Sequence, residues 1–531
     1  MRAVGTVLAL VVLATVVATG ARRWRVPAPS LLVIAGLAVA LIPGTPALHI
    51  APQTIGLVVL PPLLYASAEE LPLRDLRTVW RPVMLLAFGL VLASAAVVAV
   101  LAREATPLTG SMAFVLGAVL ASTDPVAVTA LGRRLALPGR VQVLVQAESL
   151  FNDATSLVLF KVALGFAIAP GSVGWGSAGG QFVLLAGGGT VIGAAVAGLV
   201  VLIRRRTEDP VLETVIALVT PYGAYVLAES AHASGVTAVV VAGVLLGHSG
   251  HRLSDARIRL QRGAVYAVVV FGLESVVFSI VGLELPALVR TLPGGSGLWP
   301  LQALGIAAAL VALRSLWMLP LSSAVDPGRS RPSVRVAGVL TWAGTRGVMP
   351  LAAALSIPLV ADDGSPLPGR PLVLVLTTAV VVVTLVVQGL SLAGVVNRSG
   401  LAVEPEHTAR EEARARLVLA RAGLAHLDRI EDLESVPETV LDRMRRILSS
   451  RLDQAEEQPD GAASDAAPLL TAYRGLRRDV IAVQTVELRR LYDEHQVSDA
   501  TRRQLQHDLD LEDAGLGTDA GSGDANRIQR Q

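Results

Sequence analysis

The sequence predicts an all-α polytopic membrane protein with about 13 transmembrane helices and a helical cytoplasmic tail. Three observations predict it. Of 531 residues, 53% are hydrophobic and only 17% are charged, with a mean hydropathy of +0.59, against about 25% charge in an ordinary soluble domain. The charge is segregated: long apolar runs fill the chain to about Val396, whereas residues 400–531 hold 18 of the 45 basic residues. Finally, the loop arginines alternate in number from one connection to the next. A soluble globular enzyme, a disordered chain and a disulfide scaffold are excluded, and with no cysteine there is no thiol catalysis and no Cys-based metal site.

Spanning a hydrocarbon core of roughly 30 Å takes about 20 apolar residues. Thirteen segments qualify, at about 3–20, 28–43, 52–68, 82–101, 112–132, 141–167, 180–203, 211–229, 234–249, 263–284, 299–322, 334–357 and 371–394. The second, third and ninth are short. The first resembles a signal peptide, but Arg22, Arg23 and Arg25 follow it directly and argue for an uncleaved span. Taken alternately, one set of loops holds 19 arginines and the other set, with the N-terminus, holds 4. By the positive-inside rule the N-terminus is expected outside and the C-terminus in the cytoplasm. The predicted organisation is a membrane domain at 1–395 and a tail at 396–531. In the tail Leu417, Leu424, Leu427, Ile430 and Leu433 recur at helical spacing, a polar break runs from Glu456 to Pro468, and a Gly/Asp-rich end at about 515–531 reads as disordered.

An ionisable group at mid-membrane costs about 2.5–3.5 kcal/mol even on lenient insertion scales, so each needs a partner or a role. Three clusters carry such groups: Ser122-Thr123-Asp124-Pro125 in the fifth span, Glu148-Ser149-Leu150-Phe151-Asn152-Asp153 in the sixth, and Gly344-Thr345-Arg346-Gly347 in the twelfth. Pro125 and the glycines around Arg346 weaken the helix there. Non-helical backbone at membrane depth survives only inside protein or along a cavity, and transporters built from inverted repeats put such breaks at the substrate site. The breaks fall seven spans apart, which fits inverted repeats at about 1–167 and 211–394 joined by the seventh span.

Ser149 and Asp153 are four apart and share one helix face, as do Glu148 and Asn152 on the adjacent one. Carboxylate, amide, hydroxyl and free carbonyl oxygens are the ligands a hard monovalent cation takes. Desolvation disfavours a bare carboxylate, so Asp153 is expected to hold either a cation or a proton. Glu148 and Arg346 are the expected partners in an ion pair.

The Ser-Thr-Asp-Pro-Val run, the Glu-Ser-Leu-Phe-Asn-Asp run, their spacing, the thirteen spans and the Gly-Thr-Arg-Gly segment together resemble the monovalent cation:proton antiporter-1 family, the Na+/H+ exchangers, over about residues 1–395. The tail is similar to those of actinobacterial members. The resemblance implies that Asp153 alternately binds cation and proton, with Ser149 and the Thr123 carbonyl as further ligands to Na+ or K+. It implies that Asp124 offsets positive helix ends, and that Asn152, standing where electrogenic relatives have a second aspartate, makes exchange electroneutral. It also implies a homodimer with a dimerisation domain and a mobile core. The sequence departs from many members after its Pro-Pro-Leu-Leu-Tyr run, where Ala66 follows Tyr65; Glu69 and Glu70, further on, are not assigned to the site.

Other signals carry less. Lys161, the only lysine, is expected to snorkel or pair; Glu274 and Arg314 are candidates for a structural pair; Gly187–Gly189 and Gly193–Gly198 read as close helix packing. The Gly-His-Ser-Gly run at Gly247 lacks a partner histidine for protease chemistry, and there is no phosphate-binding loop for ATP-driven pumping. The expected function is a secondary Na+/H+ antiporter of a bacterial inner membrane, not an enzyme, with no cofactor and no nucleic-acid partner, working in the lipid bilayer. The alternatives are a K+-preferring antiporter governed by the tail, and a channel or ion sensor on the same fold.

Overall fold

The computed structural model describes residues 2–24, 27–42, 57–71, 73–124, 139–168, 175–207, 209–253, 256–292, 297–325, 333–360, 365–400, 405–433, 438–456, 466–494 and scattered positions from 496 to 513. The described residues are helical, and their β-type pairings are two isolated bridges. Seven of the described helices are long and apolar enough to cross a membrane, and four shorter apolar ones accompany them. The chain divides into two units, Met1–Val403 and Glu404–Gln531.

In the first unit the helices are α1 (Arg2–Trp24), α2 (Ala28–Ala40), α3 (Leu60–Glu69), α4 (Leu73–Met84), a π-helical turn (Leu85–Leu90), α5 (Val91–Ala105), α6 (Gly110–Leu120), α7 (Gly139–Ile168), α8 (Trp175–Arg204), α9 (Pro210–Ser230), α10 (Gly235–Leu253), α11 (Ala256–Arg290), α12 (Trp299–Val325), α13 (Val334–Trp342), α14 (Val348–Leu355) and α15 (Arg370–Ser399). Local chemistry sets several ends. Asp209 caps α9, its Oδ1 accepting the Val211 N–H at 2.7 Å, and Pro210 opens that helix without losing a bonded N–H. Thr109 caps α6 in the same way. Gly400, with φ of +65°, ends α15.

The helices pack in two groups. One gathers α1, α2, α3, α9, α10 and α11, with α8 laid against α10; the other gathers α5, α6, α7 and α12–α15. The expected small-residue packing occurs at Gly189 and Gly193 of α8, where a Cβ would run into Ser234 and Ala238, the latter in α10. The first group is clamped at its arginine-rich end by two ion pairs: Arg204 with Glu213, buried, at 3.1 Å, and Arg262 with Glu69, partly buried, at 2.9 Å. Tyr65 and Tyr266 stack beside them, ring centres 5.9 Å apart. Ser30 of α2 donates to the Leu385 carbonyl of α15 at 2.7 Å and ties the groups together.

Lys161 of α7 pairs with Glu229 of α9 at 2.5 Å, so the lysine is paired, and the pair also bridges the two groups. Each side chain keeps about a third of its surface exposed, and exposed pairs contribute about 0–1 kcal/mol. Lys161→Gln is therefore expected to change stability by less than about 1 kcal/mol, read as thermal unfolding in detergent; a larger loss would mean that the pair is shielded.

The second unit comprises α16 (Pro405–Leu433), α17 (Glu438–Glu456) and α18 (Ala466–Asp493). α16 packs on α17, with Arg445 reaching Asp428 at 3.2 Å and Gly423 facing Leu448. The polar break expected before the last helical stretch and the Gly/Asp-rich end lie largely outside the described residues.

Candidate functional site

Two helices end early and face each other. α6 stops at Leu120 and α13 at Trp342, and the extended segments that follow cross as an antiparallel bridge between Asp124 and Thr345. The Asp124 N–H donates to the Thr345 carbonyl at 2.8 Å, and the Thr345 hydroxyl returns a bond to the Asp124 carbonyl at 2.6 Å. The backbone groups freed by breaking two helices are thus satisfied by each other, which is what makes the break tolerable in an apolar interior. Pro125 and the remainder of the fifth span lie outside the described residues.

Asp124 sits at the start of α14, and its Oδ2 accepts the Val348 N–H at 3.2 Å. A carboxylate at a helix N-terminus meets the positive end of the helix dipole. The approach is possible because residue 347 is glycine: a Cβ there would collide with the Asp124 carboxylate.

α7 brings the second cluster alongside. The Ser149 hydroxyl donates to the Thr123 carbonyl at 2.7 Å, and the Asn152 amide donates to the Thr123 hydroxyl at 3.0 Å. Ser156, one turn on, donates to Ala118 of α6 at 3.0 Å and fixes the pairing of the two helices. Asp153 is only 7% exposed, and its Oδ1 is buried without a hydrogen-bond partner among the described residues. Asp124, Ser149 and Asp153 line a cavity of about 120 Å³ together with Glu70, Gln146 and Glu274. Its wall takes in Gln146 to Asp153 of α7 and the C-terminal end of α3 as far as Glu70, the neighbour in sequence of Glu69, which pairs with Arg262.

Thr123, Asp124, Ser149, Asn152 and Asp153 therefore come together as expected from the sequence. The expected ion pair does not. Glu148 is gripped by Arg314 of α12, not Arg346: one guanidinium nitrogen donates to Glu148 Oε1, the second reaches Oε2 at 2.8 Å, and Nε bonds the Leu340 carbonyl at 3.1 Å. All three charged side chains are buried. Arg346 instead donates to the Ser122 carbonyl at 2.8 Å, with its own N–H on Thr384 Oγ1 at 3.2 Å. The reason is geometric. Arg346 lies on the unwound crossing and reaches the backbone beside it, while α12 presents Arg314 in line with the carboxylate for a two-pronged bond. The same pairing removes Arg314 as the partner of Glu274. Glu274 lies in the cavity wall instead, and so does Glu70, left out of the site on sequence grounds. For Glu274 the available signal was a lone acid in an apolar run; Glu70, directly after Glu69, carried no such signal.

Residues 8–398 match the family described as sodium/hydrogen exchanger, transmembrane. Over 531 aligned residues the chain is 34% identical to an uncharacterized Na+/H+ exchanger of Mycobacterium tuberculosis, covering 96% of this chain and 97% of the relative. It is 30% identical over 429 residues to the Na+/H+ antiporter ApNhaP of Aphanothece halophytica, covering 80% and 79%. A Bacillus subtilis protein named for sodium, potassium, lithium and rubidium/H+ antiport is 30% identical over 381 residues, 68% of this chain and 56% of that one. In fold the chain is similar to the sodium proton antiporter MjNhaP1 of Methanocaldococcus jannaschii, with a TM-score of 0.62 at 21% identity, over 76% of this chain and 99% of that one. A transporter family, not an enzyme family, accounts for the two crossed helix breaks, and this chain belongs to the sodium/hydrogen exchangers, the monovalent cation:proton antiporters.

Proposed function

We propose that the chain exchanges Na+ or K+ for H+ across the cytoplasmic membrane, one for one, with cation and proton competing for Asp153. The observation that carries this reading is the Asp153 Oδ1, buried without a hydrogen-bond partner among the described residues, opening on a cavity beside Ser149 and Asp124. A desolvated carboxylate needs a positive charge, and either a proton or a monovalent cation supplies it. The Thr123 carbonyl and Ser149 hydroxyl, 2.7 Å apart, are the neighbouring oxygens for the cation. Asn152 contributes no charge but holds Thr123, so one carboxylate titrates per cycle and the exchange carries no net charge. The two helix groups supply a mobile body and a scaffold for alternating access, and the arginine-rich loops favour a cytoplasmic C-terminus and a cavity open to the cytoplasm. A homodimer and two inverted repeats complete the reading.

K+ in place of Na+ is the second reading, favoured by the printed substrates of the Bacillus subtilis relative. The test uses full-length protein in proteoliposomes with an imposed pH gradient. Na+ or K+ is expected to collapse the gradient in the wild type, identifying the ion, and neither is expected to do so with Asp153→Asn. Exchange by Asp153→Asn at the wild-type rate would reject Asp153 as the shared site. Cation flux without proton movement would make the protein a channel.

A further inference from the structure

We propose, building on the antiport reading, that Glu274 is a second cation-handling carboxylate, a relay ligand on the scaffold that passes the ion between Asp153 and the arginine-rich face. Glu274 stands in the middle of α11, inside an apolar run. A carboxylate there needs a partner or a role, yet Glu274 has neither a hydrogen bond nor an ion pair among the described residues. The Arg314 partner that sequence spacing suggested is taken by Glu148. The described arginine nearest in sequence on the same helix, Arg262, is engaged by Glu69.

What Glu274 does face is the cavity, whose wall it shares with Asp124, Asp153 and Glu70. Among the described residues no basic side chain lines that space. Its charged electrostatic neighbour is Asp124, of the same sign. Four acids around one space are not in themselves a site. The second observation is the unpartnered Oδ1 of Asp153, more than nine-tenths buried and in the wall of the same cavity. At roughly 30 Å³ per water, a volume of about 120 Å³ holds about four waters. That room admits a partly hydrated monovalent cation beside the carboxylates.

The division of labour follows from the helix groups. Asp124 and Asp153 belong to the group of α6, α7 and α14, whereas Glu274 and Glu70 belong to the group of α3 and α11. When one group moves against the other, Asp153 leaves with its ion and Glu274 stays. A carboxylate fixed to the scaffold therefore gathers cations from the open side and presents them to Asp153, without forming part of the site that crosses. Such a ligand raises the local cation concentration and acts on apparent affinity rather than turnover.

The test is cation-dependent proton movement by full-length protein in proteoliposomes, with the cation titrated over its full range. Glu274→Gln, isosteric and uncharged, is expected to raise the apparent KM for the transported cation about tenfold and to leave the maximal rate within about twofold. Glu274→Asp, which restores the charge, is expected to bring KM most of the way back. Thermal unfolding in detergent confirms that both variants fold. An unchanged KM in Glu274→Gln, with the wild type active, overturns the relay. So does an equal fall in maximal rate for both variants at wild-type KM, which is the mark of a packing role. A wild type that moves no protons with Na+, K+ or Li+ overturns the antiport reading, and the relay falls with it.

Discussion

Arg314→Met is expected to destabilise the folded chain by about 3–5 kcal/mol, the cost of removing one partner from a buried ion pair. Arg314 and Glu148 are both almost fully buried, and the guanidinium closes on both carboxylate oxygens. Without it, Glu148 would be a bare charge among apolar helices. The double variant Glu148→Leu/Arg314→Met is expected to recover most of the loss, because paired removal eliminates the desolvation cost together with the attraction. Glu148→Leu/Arg346→Met is expected to lose about the sum of its two single losses, with no such recovery, since Arg346 bonds the Ser122 carbonyl. A double-mutant cycle on thermal unfolding in detergent separates the two cases. Coupling to Arg346 larger than coupling to Arg314 would reinstate the pairing expected from sequence and reject the one described above.

Gly347→Ala is expected to lower cation-coupled proton movement by about 100-fold, the order of effect that follows from displacing a site group by about 1 Å. The new Cβ would occupy the position of the Asp124 carboxylate. Either that carboxylate swings away from the start of α14, breaking its bond to Val348, or the bridge between Asp124 and Thr345 separates. The first change takes a carboxylate out of the cavity wall it shares with Asp153; the second displaces Thr123, and with it the carbonyl that Ser149 holds. Gly338→Ala is the control: it adds the same methyl group in α13, where nothing lies within reach of the new Cβ, and is expected to transport normally. Wild-type exchange by Gly347→Ala would mean that the crossing is not part of the transport site.

The family, and which residues gather at the candidate site, could be read from the chain itself because the relevant physics is local. A run of apolar residues long enough to cross a bilayer declares a span whatever it packs against. An i, i+4 pair on one helix puts Ser149 and Asp153 on the same face without reference to any other helix. A proline or paired glycines in an apolar run mark a break by backbone chemistry alone, and two breaks with polar residues imply that they meet. These are nearest-neighbour properties of the sequence, and they suffice for the fold class, for its being built of membrane-crossing helices, and for proposing the Thr123–Asp124 and Ser149–Asp153 clusters.

Partner choice was decided elsewhere. The cost of burying a charge says that Glu148 must be neutralised, but it applies equally to Arg314 and Arg346, and nothing in the order of residues separates two arginines that both lie far along the chain from the acid. The packing of α12 against α13 selects Arg314 by bringing its planar guanidinium within two-pronged reach of the carboxylate. In the same way, Glu70 and Glu274 are a surplus of charge in the sequence and become walls of one cavity only when α3 and α11 close around α7. The sequence by itself determined which residues cannot stand alone in the membrane; the tertiary structure decided which of them stand together, because a long-range electrostatic contact depends on where whole helices come to rest.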